Sequence, residues 1–189
     1  RSDVRAPGSH NLANALAASA AAIAWGAPVA AIRGGLRRFS GVEHRLEFVA
    51  EAGGVRFYND SAATAPAASL AALDAFSHPL VLIAGGADKN LDFTALGAAI
   101  AGRVKAVILL AGTATDKLAA AIRAGGGAHI AGVYDDITAA VDKAVALAVA
   151  GDVVLLSPGC ASFGMFANEF ERGELYKQAV HRVLAGEKR

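Results

Sequence analysis

The chain has 189 residues, of which 54% are hydrophobic and 19% charged, and its formal net charge is +1. That length suits one ordinary domain plus part of another, and that balance excludes intrinsic disorder. The 18 basic residues form no block, which gives no electrostatic case for nucleic acid; apolar runs break before the ~18–20 residues a membrane span needs, and the single cysteine, Cys160, excludes a disulfide framework and fits a reducing cytoplasm.

The first 38 residues read as helical. Residues 1–10 are polar and carry no secretory pattern. A helix starting at Ser9 or His10 covers residues 11–25 and stops at Gly26, and a second, opened by Pro28, covers 28–38. Residues 45–50 and 54–59 alternate apolar and polar around 51–53, which predicts a hairpin. Short continuous apolar runs follow at 79–84, 104–111, 129–134 and 152–156, separated by Ala- and Leu-rich stretches at 65–76, 93–101, 115–124 and 135–148 with helical spacing. Such runs imply a parallel sheet covered on both faces. A closing helix over 163–184 places Phe163, Phe166, Phe170, Tyr176, Val180 and Val183 on one stripe. The fold class is therefore α/β: a doubly wound, mostly parallel sheet with an antiparallel hairpin strand over residues 41–189, preceded at 1–40 by the helical tail of another domain. With no initiating Met and an opening inside a helical pattern, the chain reads as a piece of a longer protein.

In doubly wound sheets ligands sit at the carboxyl ends of the strands. Three loops there are rich in polar groups: residues 59–64, 85–90 and 157–163. In the first, Asp60 suits ribose hydroxyls and Thr64 an anion at a helix start; equally, Asp60, Ser61 or Thr64 caps that helix. In the second, Gly85 and Gly86 admit close approach and Lys89 brings a positive charge, although a solvated Lys on a Gly-rich turn fits as well. In the third, Ser157, Ser162 and backbone amides at the start of the last helix suit a carboxylate or phosphate. Cys160 has no activating base near it in sequence and reads as buried and inert. Asn11 and Asn14 share a helix face, and Arg45 enters the hairpin beside His44; a polar contact between domains explains these equally. Neither a G-x-x-x-x-G-K-[ST] loop nor a G-x-G-x-x-G fingerprint is present in these loops.

Five blocks in order, Gly8-Ser9-His10-Asn11-Leu12-Ala13-Asn14, Phe39-Ser40-Gly41-Val42-Glu43-His44-Arg45, Asn59-Asp60-Ser61-x-Ala63-Thr64, Gly85-Gly86-x-Asp88-Lys89 and Leu156-Ser157-Pro158-x-Cys160-Ala161-Ser162-Phe163, resemble the Mur ligases, and within them the branch that adds D-glutamate. The resemblance implies a three-domain, ATP-dependent acid–amino-acid ligase of peptidoglycan synthesis, with a Rossmann-like last domain. It implies the end of the central ATP-binding domain at 1–40 and the whole last domain at 41–189. By the same resemblance Asn11, Asn14, Arg45 and Asp60 match nucleotide-contacting positions, and Thr64, Lys89, Ser162 and Phe163 match positions holding D-glutamate. ATP, D-glutamate and UDP-N-acetylmuramoyl-L-alanine are the implied partners, with Mg2+ ligands expected outside this chain and no metal site or certain catalytic residue within it. Three departures stand out: Ala62 where many members carry Lys, Gly164 where Asp is common, and Asn168-Glu169-Phe170 with its Phe one residue late. A non-catalytic α/β module that binds an amino acid or nucleotide, or an interaction domain using the Phe-striped last helix, stays open as an alternative. An unrelated oxidoreductase is disfavoured by the missing glycine fingerprint.

Overall fold

The computed structural model describes residue 3 and residues 8–127 and 129–186. Helices α1 (Ser9–Ala24) and α2 (Val29–Arg38) come first, separated by Gly26 at a φ of +87°. Among the described side chains from 8 to 43 none is buried, and Trp25 is 94% exposed. This pair forms an appendage that contributes nothing to the core.

The body alternates strand and helix as expected: β1 (Glu47–Ala52), β2 (Val55–Asn59), α3 (Pro66–Asp74), β3 (Leu80–Gly85), α4 (Thr94–Arg103), β4 (Val104–Leu110), α5 (Thr115–Ala124), β5 (His129–Tyr134), α6 (Ile137–Leu147), β6 (Val153–Leu156) and α7 (Glu169–Leu184). The six strands lie in the order β1-β2-β6-β3-β4-β5. Only β1 runs antiparallel, paired with β2; every other pairing is parallel. Side chains of β3 and β6 alternate between the faces, as the period of two requires. Leu80, Leu82, Val153 and Leu155 meet Leu73, Leu96, Leu118 and Ile122 of α3, α4 and α5. Val81, Ile83, Val154 and Leu156 meet Ile137, Val141, Tyr176 and Val180 of α6 and α7. The result is a three-layer α/β/α domain whose central strands are buried on both sides.

Strand order decides where a ligand can sit. From β3 the chain winds outward to β4 and β5, then returns across the other face to insert β6 between β2 and β3. The carboxyl ends of β2, β6 and β3 thus lie side by side at the point where winding reverses, the usual ligand crevice of such sheets. The three polar loops are the ones leaving these strands.

Several sequence expectations need correction. The hairpin begins at Glu47 rather than residue 45, because His44 (φ +60°) and Leu46 (φ +44°) hold a left-handed turn; its reversal falls on Gly53-Gly54, between the paired Ala52 and Val55. Helix α3 is entered through Ala65 with no side-chain cap, so Asp60, Ser61 and Thr64 are not its caps. The last helix starts at Glu169, not 163. Asn168 caps it by accepting from the Glu171 amide at 2.9 Å, while the Glu171 carboxylate accepts from the Ala167 amide at 2.5 Å, a variant of the capping box. Phe163 and Phe170 are therefore not part of a buried stripe; they are 62% and 59% exposed, whereas Tyr176 and Val180 are buried.

Candidate functional site

The three loops are tied together by their own backbones. The Asp60 amide donates to the Leu156 carbonyl at 2.7 Å, Gly159 to Ala63 at 2.9 Å, and Gly85 to Pro158 at 2.9 Å. Ala87 and Ala161 form a two-bond antiparallel bridge, at 2.9 and 3.1 Å. Gly86 makes that approach possible: a Cβ there would stand 2.4 Å from the Ala161 carbonyl oxygen, and the residue holds a φ of +135°.

Asp60 sits at the centre. Its carboxylate accepts from the Leu46 amide at 3.1 Å and from the Ser157 hydroxyl at 2.7 Å, and Ser157 Oγ lies 2.9 Å from Ser69 Oγ. Only 5% of Asp60 is exposed. Burial pushes its carboxyl up to about 6, against the opposing pull of the Ser157 and Leu46 hydrogen bonds and the Arg45 charge. The open side of Asp60 faces a cavity of about 210 Å³ lined also by Arg45, Leu46, Ala62, Ala63 and Ala72. A carboxylate and a guanidinium facing one small, otherwise apolar cavity can accept from hydroxyls and donate to oxygen anions of the same ligand.

Of the expected nucleotide residues, the fold brings Arg45 and Asp60 together. Asn14 instead lines a second, apolar groove between α1 and α2 with Ala15, Ala18, Leu36 and Phe39, and Asn11 is half-buried on the same helix. On the amino-acid side, Lys89 is exposed and lies two residues beyond Ala87 of the loop bridge; Ser162 is buried and directly follows Ala161. Thr64 is half-buried near the entry to α3, and Phe163 is exposed. The amides expected to bind an anion at a helix start are not there: α7 begins seven residues after Ser162, and the Gly159 and Ala161 amides are spent on Ala63 and Ala87. Cys160 is buried, and desolvation pushes its thiol up to about 12, so it is no nucleophile at neutral pH.

Sequence reasoning missed the buried polar groups beneath these loops. Arg172 is fully buried on α7 and donates to Ser61 Oγ at 3.0 Å, to the Ser61 carbonyl at 2.9 Å and to the Cys160 carbonyl at 3.2 Å. Desolvation lowers its pKa to about 10, so it remains charged. Its position four residues before Tyr176, on the buried face, was the available signal. Asn59 and His44 are likewise buried and mutually bonded at 2.9 Å.

Among the described residues one trio, Glu43, His44 and Glu174, brings potential metal ligands within 4.8 Å of one another. The Lys177 ammonium lies 2.7 Å from both carboxylates and supplies their positive charge, so Mg2+ is not assigned there.

Residues 44–160 match the family described as "Mur ligase, glutamate ligase domain". The chain is 55% identical over 181 residues to a UDP-N-acetylmuramoylalanine--D-glutamate ligase of Roseiflexus sp. (strain RS-1), covering 95% of this chain and 39% of the relative. It is 47% identical over 178 residues to the same-named protein of Caldanaerobacter subterraneus subsp. tengcongensis, covering 94% and 40%. It spans about two-fifths of the length of the curated relatives it matches. Among solved structures it resembles a UDP-N-acetylmuramate-alanine ligase from Thermotoga maritima, with TM-score 0.73 and 16% identity over 97% of this chain and 40% of that one. A folylpolyglutamate synthase from Mycobacterium tuberculosis gives 0.61 and 20%, over 98% and 42%; at these identities the likeness concerns the fold. With the family match, the relatives and the sheet topology in agreement, the chain belongs to the Mur ligase family.

Proposed function

We propose that this chain is the carboxyl-terminal part of an ATP-dependent ligase that joins D-glutamate to UDP-N-acetylmuramoyl-L-alanine in cytoplasmic peptidoglycan synthesis. The observation that carries the reading is the Arg45–Asp60 cavity at the switch point, in a chain that resembles D-glutamate ligases over nearly its whole length. In the reaction, the terminal phosphoryl group of ATP passes to the alanine carboxylate to give an acyl phosphate. The amine of D-glutamate attacks the acyl carbon, the C–N bond forms, and phosphate leaves with the electrons of the broken C–O bond.

The residues present fit the outer portions of two of these substrates. Asp60 accepts from the ribose hydroxyls of ATP and Arg45 donates to its oxygens. The Asn14 groove, apolar with one amide, suits the edge of a base. Lys89, Thr64 and Ser162 surround the bridged loops and hold the carboxylates of D-glutamate, with Phe163 beside them. Residues 1–40 are the end of the ATP-binding domain and residues 41–189 the closing domain. Mg2+, when bound, offsets charge on the transferring phosphoryl group, and its ligands come from outside this chain. The full-length protein should release phosphate only when ATP, D-glutamate and UDP-N-acetylmuramoyl-L-alanine are all supplied. Equal release with another amino acid in place of D-glutamate would refute the assignment.

A further inference from the structure

We propose that Asn59 is a positioning residue for Arg45, acting through the ring of His44; the proposal rests on the nucleotide reading of the Arg45–Asp60 cavity. The segment that carries Arg45 is strained. His44 and Leu46, on either side of it, hold φ values of +60° and +44°, a region that side chains other than Gly occupy at a cost and only where surrounding contacts impose it. Those contacts converge on one buried amide. Asn59 Oδ1 accepts from the Ser61 amide at 3.1 Å, which fixes the orientation of its carboxamide. Both amide hydrogens are then aimed back at the turn: Nδ2 lies 2.9 Å from His44 Nδ1 and 2.9 Å from Glu47 Oε2. With Asn59 as donor, His44 Nδ1 is the acceptor, and in the neutral ring the proton resides on Nε2, which faces Glu174 Oε1 at 3.6 Å.

The rest of the His44 residue is clamped as well. Its amide donates to Glu47 Oε2 at 3.0 Å and its carbonyl accepts from Ala62 at 2.9 Å. Its ring meets Phe170 edge-on at 5.6 Å and lies against Gly173 of α7, where a Cβ would stand 2.2 Å from Nδ1. One residue after Asn59 comes Asp60, whose carboxylate takes the Leu46 amide at the far end of the same turn. Asn59 thus sets the placement of Arg45 relative to Asp60 without lining the cavity itself.

Asn59→Asp is the incisive variant, since it keeps the oxygen that accepts from Ser61, removes the donor that holds His44 and Glu47, and sets a carboxylate against that of Glu47. In the full-length protein the ATP KM should rise roughly tenfold or more, the cost of a small misplacement of a binding group, with kcat at saturating ATP and the D-glutamate KM largely retained. Because the effect runs through Arg45, the double variant Asn59→Asp/Arg45→Ala should show the same ATP KM as Arg45→Ala alone. Additive effects, or a wild-type ATP KM for Asn59→Asp, overturn the positioning role. If Arg45→Ala itself leaves ATP use unchanged, the nucleotide reading falls and the proposal with it. Should Asn59→Asp not fold, Gly173→Ala tests the same device from α7 by pushing the ring off Asn59. It should raise the ATP KM in the same way, and a folded Gly173→Ala protein with wild-type ATP use overturns the proposal.

Discussion

Asp60 links the proposed nucleotide contact to acidity. Its carboxyl carries a pKa of about 6 in the fold against an ordinary 3.8, so the folded state holds that proton more tightly than the unfolded chain. Stability contributed by this group is therefore present below pH ~4 and is lost as pH rises to ~6, an effect on the order of 3 kcal/mol for a shift of about two units. Asp60→Asn removes the charge while keeping the shape. The Asn variant should exceed wild type in stability at pH 7.5, and the difference should shrink as the pH falls from 6 to 4; thermal midpoints of both proteins across that range measure it. The same variant should use ATP poorly, because an amide offers a ribose one acceptor oxygen where a carboxylate offers two. Lys89 is the corresponding residue of the proposed amino-acid side. Exposed, and without a hydrogen-bond or ion-pair partner among the described residues, it is available to a carboxylate; Lys89→Ala should raise the D-glutamate KM roughly ten- to a hundredfold, the worth of one charge-assisted contact. ATP use should barely move, and an unchanged D-glutamate KM removes Lys89 from the site.

Helix α7 is the element that locks the rim from below. Arg172 reaches from it to the loops after β2 and β6, and Ser61 Oγ donates back to the Glu169 carbonyl at 2.7 Å. Replacing Arg172 by Met leaves the Ser61 and Cys160 carbonyls buried without these donors. A loss of roughly 3 kcal/mol is expected, read from urea unfolding. Arg172→Lys should recover only part of it, since one ammonium cannot span the three acceptors. The start of this helix was misread because phenylalanines at 163, 166 and 170 mimic a helical stripe; the better signal was Asn168 followed three residues later by Glu171. Strands β3, β4 and β6 were legible as elements, being continuous apolar runs ended by polar loops. Their order was not, because strands buried on both faces carry no mark of which neighbours they pair with.

At the scale of the molecule, the two parts have different needs. The α/β body has apolar layers on both faces of its sheet, whereas the described side chains of α1 and α2 bury nothing. A chain cut to residues 41–189 should unfold in urea within about 0.5 kcal/mol of the longer one, as expected when distant, uncoupled groups are removed; a collapse of cooperative unfolding would show that the helices support the body. Three of the loops that carry candidate residues were legible because chemistry gathers at strand ends in this architecture. The separation of Asn14 from the Arg45–Asp60 cavity was not, since the largely exposed residues 39–43 that follow α2 leave no sequence trace of how the helices lie. Nor was the buried pair of Asn59 and His44, whose side chains in a linear reading look like solvated polar groups.

Arg172 also has an electrical consequence. It donates only to neutral oxygens and joins no ion pair among the described residues; the Glu169 carboxylate, acting through space, offsets part of its field at the rim. At ~8 Å, with an effective dielectric constant of ~20, one unit charge attracts another by about 2 kcal/mol. Dissolved ions cannot reach this guanidinium, whereas they crowd around exposed Lys89. Two attractions with different responses to ionic strength then act on the carboxylates of incoming D-glutamate: one fades as salt is added and one persists. D-glutamate capture plotted against salt should accordingly fall at first and then level off above zero, and in Lys89→Ala the early fall should largely vanish while the plateau remains.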